Sequence, residues 1–147
     1  MPTLNSPKET FAYGKKLAAK LKGGDILLLS GELGAGKTSL VKGLAVGLGV
    51  KNEITSPTFA IMNVYKIKKL KIKNFVHIDT YRLKDEKELL EIGVEDYLGR
   101  LDTICAIEWP EKIIGFLKNI PHKHKIIAIH LKHGAKDNQR KVLVSKN

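Results

Sequence analysis

The stretch that decides the fold is Ile26-Leu27-Leu28-Leu29-Ser30 followed by Gly31-Glu32-Leu33-Gly34-Ala35-Gly36-Lys37-Thr38 and then Ser39-Leu40-Val41-Lys42-Gly43-Leu44-Ala45. The first part is a short, wholly apolar run, which predicts a buried strand over Asp25 to Ser30. The last part spaces its apolar residues as a helix does, which predicts a helix from Lys37 to about Leu48, closed by Gly49. Between them lie three glycines in six residues. The unit is therefore strand, glycine turn, helix.

The turn fits the spacing G-x-x-x-x-G-K-[ST] at Gly31, Gly36, Lys37 and Thr38. Glycines let successive backbone N–H groups converge on one point and leave no Cβ in the way of a phosphate. The helix that follows adds unpaired N–H groups and the positive end of its dipole. Lys37 is placed to reach β- and γ-phosphates, and the Thr38 hydroxyl to ligate Mg²⁺. The candidate nucleotide contacts are Glu32, Leu33, Gly34, Ala35, Gly36, Lys37, Thr38 and Ser39. A ligand-free glycine turn is the competing reading, and the strand before and helix after disfavour it.

Two acids extend the pattern. Asn74-Phe75-Val76-His77-Ile78-Asp79 is an apolar strand ending in Asp79, and Ile104-Cys105-Ala106-Ile107-Glu108 is a second ending in Glu108. In parallel sheets ligands bind beyond the carboxyl ends of strands, so both acids can stand near the glycine loop. With Lys37 they are the candidate catalytic residues. With Thr38 they are the candidate metal ligands, one holding Mg²⁺ and the other orienting water. Either acid alone is equally well a strand cap or a lysine partner. His77 lies two residues before Asp79 and shares its strand face. With no second His or Cys at metal-ligand spacing, it reads as a core residue or a support behind the site. Arg82 is placed to touch phosphate or fix Asp79. Trp109, beside Glu108, packs on either the nucleotide or the core, and for a lone tryptophan the core is the expected place.

The rest of the chain is consistent with an ordinary globular protein. Its 147 residues suit one domain. No apolar run approaches the ~20 residues needed to cross a bilayer, the first ten residues lack a secretory layout, and the one cysteine, Cys105, excludes an internal disulfide. These features predict a cytoplasmic protein without membrane contact. A net charge of +11 favours anionic partners without choosing among them, and a lysine-rich solvated surface explains it equally well.

Elsewhere, Ser6-Pro7-Lys8-Glu9 reads as a capping box. It opens a helix whose apolar face is Phe11, Leu17, Ala18 and Leu21. Residues 60–79 read as two strands with a lysine-rich tip, an edge hairpin guarded by its lysines. Residues 84–99 read as two short helical pieces broken at Gly93. Pro110 starts a helix through Phe116, and strands follow at Ile126 to Leu131 and Lys141 to Val144. The expectation is an α/β fold with a mixed sheet.

Taken in order, "GELGAGKT" (31–38), "SPTF" (56–59), "HIDTYR" (77–82) and "EWPEK" (108–112) resemble the TsaE (YjeE) family over nearly the whole chain. The resemblance implies a P-loop NTPase-like fold: a mixed, mostly parallel sheet flanked by helices, with an antiparallel hairpin. It implies a Mg²⁺-dependent ATPase, slow alone, that is required for threonylcarbamoyladenosine modification of tRNA. Its partners would be a threonylcarbamoyl-transferase subunit and that subunit's dimerising relative, and ATP would reset their complex, with tRNA met indirectly through it. Ser56 and Thr58 become switch residues near the γ-phosphate, and Glu108 the Mg²⁺-side carboxylate. Thr10 and Arg140 match positions near the nucleotide. The lysine-rich hairpin has no counterpart in the family pattern. Three other readings compete. A small-molecule P-loop kinase would need an arginine-bearing lid, and only Arg82, Arg100 and Arg140 are present. A nucleotide-gated adaptor would bind ATP with negligible turnover. A direct tRNA binder would use the lysines.

Overall fold

The computed structural model describes residues 1–55, 61–69, 71–120 and 125–146. Among them runs one seven-stranded sheet in the order β1-β7-β6-β2-β5-β4-β3. The strands are β1 (Thr3–Leu4), β2 (Ile26–Ser30), β3 (Met62–Lys69), β4 (Ile72–Asp79), β5 (Thr103–Glu108), β6 (Ile126–His133) and β7 (Arg140–Lys146). The central strands β6, β2, β5 and β4 run parallel. The edges are antiparallel: the β3–β4 hairpin on one side, β7 and β1 on the other. Mixed sheet, parallel centre and hairpin match what the sequence predicts.

A parallel centre needs cover on both faces, and this explains why β2 reads as an unbroken apolar run. Leu27 and Leu29 face one layer, with Ile104, Ala106, Ile127 and Ile129 beside them. There they meet α1 (Pro7–Ala18) and α2 (Lys37–Gly47). Ile26, Val76, Ile78, Cys105 and Ile107 face the other. That side is covered by short pieces: α3 (Lys87–Glu91), a 3₁₀ turn at Val94–Asp96, a second at Pro110–Ile113, and α4 (Ile114–Leu117). Gly93 separates the first two pieces, as expected from the sequence.

Helix α1 begins as predicted. Ser6 Oγ accepts from the Glu9 N–H at 3.1 Å, and Pro7 fills the first helical position. The return bond goes one residue further back than in the usual box: Glu9 Oε2 accepts from the Asn5 N–H at 2.7 Å. The buried face of α1 is Thr10, Gly14, Leu17 and Ala18, whereas Phe11 is only half-buried. The shift has a steric cause. Helices α1 and α2 approach at backbone distance through glycines. A Cβ on Gly43 would stand 2.0 Å from the Phe11 carbonyl oxygen, and one on Gly14 would stand 2.3 Å from that of Leu40. Apolar spacing alone does not report a contact made by the residues without side chains.

Two further departures appear. Strand β1 lies where the sequence shows no strand signal and pairs with β7, Thr3 against Lys141. The helix expected from Pro110 to Phe116 is a 3₁₀ turn followed by one α turn. The lysine-rich hairpin is antiparallel, and Lys66 Nζ crosses it to Asn74 Oδ1 at 2.9 Å. Among the described residues no helix is long and apolar enough to cross a membrane.

Candidate nucleotide site

The glycine loop leaves β2 at the sheet's centre, where its neighbours on either side are the parallel strands β5 and β6. Gly36, the N-cap of α2, has φ +97°, and a Cβ there would make only ordinary contacts with Thr10 and Arg140. The left-handed backbone, not crowding, is what calls for glycine. Among the described residues no side chain caps α2, so the N–H groups of its first turn face the cleft without a described side-chain acceptor.

A cleft of about 370 Å³ opens at this end of the sheet, lined in part by Leu33, Lys37, Thr38, Asp79, Glu108 and Trp109. Gly34, Gly36, Ser39 and Tyr81 are the other described residues that line it. Lys37 is 5% exposed and folded back on the loop: its Nζ donates to the carbonyls of Gly31 at 2.7 Å and Glu32 at 2.9 Å. The ammonium also sits 4.2 Å from the centroid of the Trp109 ring. Burial pulls the Lys37 pKa below its usual value, opposed by the charges of Glu108, Asp79 and Glu111.

The two acids stand opposite each other, Asp79 of β4 in register with Glu108 of β5. Glu108 is only 2% exposed, although its place at a strand end suggests an open position. Its Oε1 accepts from Thr38 Oγ1 at 3.4 Å, and its Oε2 lies 3.5 Å from His77 Nε2. Asp79 Oδ1 accepts from the Tyr81 N–H at 3.0 Å. Burial pushes the Asp79 carboxyl above its usual pKa; the Tyr81 N–H works against this, and the Glu108 charge adds to it. Two carboxylates and a hydroxyl on one wall form an all-oxygen donor set, which suits a hard cation such as Mg²⁺. Among the described residues no group of three or more His, Cys, Asp and Glu is placed to hold a metal ion by itself.

The remaining predicted residues fall into place unevenly. Glu32 and Leu33 are exposed on the loop, Leu33 in the cleft wall. Ala35 is buried in the core, and its N–H donates to Glu32 O at 3.1 Å. Thr10 and Arg140 come together in a recess of about 120 Å³ across the loop from the cleft, with Asn138; recess and cleft share Gly34, Gly36 and Ser39. Arg140 Nη2 donates to the Gly34 carbonyl at 3.0 Å. Arg82 is exposed beyond β4 and is not part of the cleft wall. Ser56 and Thr58 lie outside the described residues. Trp109 departs from the core placement expected of a lone tryptophan. With φ +59° it turns its half-exposed ring into the cleft, 4.9 Å from Tyr81 between ring centroids. Sequence reasoning passed over Tyr81, although its place two residues after Asp79 was a signal. It also passed over Asn138, which sits in a polar turn with nothing to mark it.

A larger cavity, about 500 Å³, lies on the other sheet face between the 3₁₀ turn at Val94–Asp96 and α4. Its floor is Leu90, Leu98, Phe116 and Ile120, and among the described residues it gathers no lysine, glycine turn or helix start. Size does not locate the site; the convergence of chemically able groups at the strand ends does.

A central parallel sheet, a glycine loop running from strand into helix, and acids at the neighbouring strand ends define a P-loop α/β protein. Within that class, residues 4–142 match the family model described as "Threonylcarbamoyl adenosine biosynthesis protein TsaE". The chain belongs to this TsaE family. It is 45% identical over 116 residues to the tRNA threonylcarbamoyladenosine biosynthesis protein TsaE of Synechocystis, an overlap covering 77% of this chain and 69% of that one. To the protein of the same description from Bacillus subtilis it is 42% identical over 108 residues, covering 74% and 65%. The crystal structure of Bacillus subtilis YdiB superposes with a TM-score of 0.69 at 30% identity, covering 99% of this chain and 82% of that one.

Proposed function

We propose that the chain binds ATP with Mg²⁺ in the strand-end cleft and hydrolyses it slowly, and that it serves threonylcarbamoyladenosine formation in tRNA. The observation that carries this reading is the meeting of Lys37, Thr38, Asp79 and Glu108 around one cleft at the ends of β2, β4 and β5. Membership of the TsaE family supports the biosynthetic role.

Each residue then has a task. The loop and the uncapped start of α2 hold the phosphates by backbone N–H groups. Lys37 exchanges its two loop carbonyls for phosphate oxygens, a charge-assisted bond in a partly buried place. Thr38 and Glu108 hold the cation's side of the cleft. Asp79, kept above its ordinary pKa by burial, stands beside Glu108 to orient a water. A bound Mg²⁺ supplies charge neutralisation at the β- and γ-phosphates. The recess holding Thr10, Asn138 and Arg140 is the place for the nucleoside, because it adjoins the loop on the side away from the two acids.

A lone P-loop domain has little to stabilise the charge that develops in transfer, and Arg82 is not among the described residues that line the cleft. A partner supplying an arginine adds about 10³–10⁵-fold in related systems. The proposed partner is the threonylcarbamoyl-transferase subunit with its dimerising relative, docking in a nucleotide-dependent way. The test is phosphate release from ATP and Mg²⁺, with and without that complex. Slow release that rises on adding the complex supports the reading. Phosphate arriving on an acceptor instead of in water, or no release in either case, refutes it.

A further inference from the structure

Among the described residues His77 is the buried polar side chain left without a hydrogen bond. It is fully enclosed in β4, and among the described residues neither Nδ1 nor Nε2 has a hydrogen-bond partner. Leaving two buried ring nitrogens unpaired costs free energy, so packing alone does not explain the residue, since phenylalanine of similar shape would avoid that cost. Glu108 stands beside it. Nε2 lies 3.5 Å from Oε2, and the other oxygen, Oε1, is the one on Thr38. The imidazole and the Thr38 hydroxyl therefore flank one carboxylate, each on a different oxygen. His77 pairs in the ladder with Ala106, two residues before Glu108. The alanine's small side chain leaves room for the ring to reach toward the carboxylate.

We propose that His77 is a positioning residue for Glu108: its Nε2–H takes the Oε2 side of the carboxylate, so that Oε1 is kept toward Thr38 and the cation's side of the cleft. The role needs the tautomer with hydrogen on Nε2. It is a role in orientation, not in proton transfer, because His77 has no exposure to the cleft. Partners of this kind, behind a metal-holding side chain, typically change metal affinity or activity by about 10–100-fold.

The inference rests on the nucleotide reading above, and the experiment keeps the two apart. A fluorescent ATP analogue is bound to parent, His77→Phe and His77→Gln, first in EDTA and then along a Mg²⁺ titration at one fixed nucleotide concentration. Formation of the Mg²⁺–nucleotide complex in solution is then common to all three proteins. His77→Phe should keep its nucleotide affinity in EDTA within about twofold and shift the Mg²⁺ midpoint upward by about 10–100-fold. His77→Gln, which restores an N–H donor near the Nε2 position, should recover most of that shift. An unchanged midpoint in His77→Phe overturns the inference and leaves nucleotide binding standing. Parallel loss of melting temperature and EDTA-state affinity in both variants overturns it in favour of a packing role. A parent that binds no nucleotide overturns the nucleotide reading and this inference with it.

Discussion

Replacing Gly43 by alanine sets two effects of opposite sign against each other, and the structure decides between them. Gly43 lies inside α2, where Gly→Ala by propensity alone is worth about 1 kcal/mol of stability. The new Cβ, however, would stand 2.0 Å from the Phe11 carbonyl oxygen, 2.9 Å from its carbon and 3.1 Å from the Lys15 nitrogen. All three are backbone atoms of α1, so no rotamer change relieves the contact. Since Cβ atoms essentially never approach another heavy atom within 3.0 Å, the helices must part locally by about 1 Å. Overpacking of this kind costs about 1–3 kcal/mol, and a clash against backbone belongs at the upper end. The net expectation is a loss of about 1–2 kcal/mol, which for a chain of this size lowers the melting temperature by roughly 2–8 °C. Nucleotide affinity should fall with it, because α2 carries Lys37 and Thr38 and α1 carries Thr10. Differential scanning fluorimetry and titration of a fluorescent ATP analogue read both. A melting temperature that rises by a few degrees would show that propensity wins and that the α1–α2 contact is looser than described.

Lys37→Ala should weaken binding of the ATP analogue by roughly 10- to 100-fold, the worth of a charge-assisted hydrogen bond of about 1.5–3 kcal/mol, and should abolish phosphate release; a variant that hydrolyses as the parent does places the site elsewhere. Asp79→Asn should abolish turnover and raise the melting temperature near neutral pH. The sign follows from burial: a carboxyl with a raised pKa in the fold contributes stability while protonated and loses it as pH rises through the carboxylate range. Asparagine keeps an oxygen for the Tyr81 N–H while removing the charge, and the lost support for the Lys37 ammonium works against the gain. The parent's melting temperature should therefore fall relative to the variant's from acid to neutral pH, and equal profiles would refute the argument.

What the sequence made legible was local. Strand, glycine loop and helix are contiguous between Ile26 and Gly47, so apolar period and glycine spacing reveal them without knowledge of the rest of the fold. The cap at Ser6 and the break at Gly93 are local in the same sense. Strand β1 was invisible because two residues carry no period, and what makes them a strand is β7 at the other end of the chain. Trp109 was misplaced for a related reason. Composition assigns a lone tryptophan to the core, but its direction is set by a left-handed backbone whose carbonyl accepts from the Thr80 hydroxyl, a contact across strands. Thr10 and Arg140 were tied to the nucleotide only through the family resemblance. Their meeting in one recess depends on β7 returning antiparallel to β6 and on α1 packing against α2.

The two acids lie between these cases. Each was legible as the last residue of an apolar run, but their opposition was not, since a ladder shifted by one residue would turn one of them to the other face. The register is fixed by the layers. Phe75 and Ile104 must face α1 and α2, while Val76 and Cys105 must face the short helices. Parallel pairing of Phe75 with Ile104 then puts His77 beside Ala106 and Asp79 beside Glu108 on the α2 side of the sheet. There Thr38, at the start of α2, reaches Glu108. The same core contacts that settle the pairing of β4 with β5 thus bring the two carboxylates and the hydroxyl into one cleft, and a one-residue shift of that register would disturb the site and the core together.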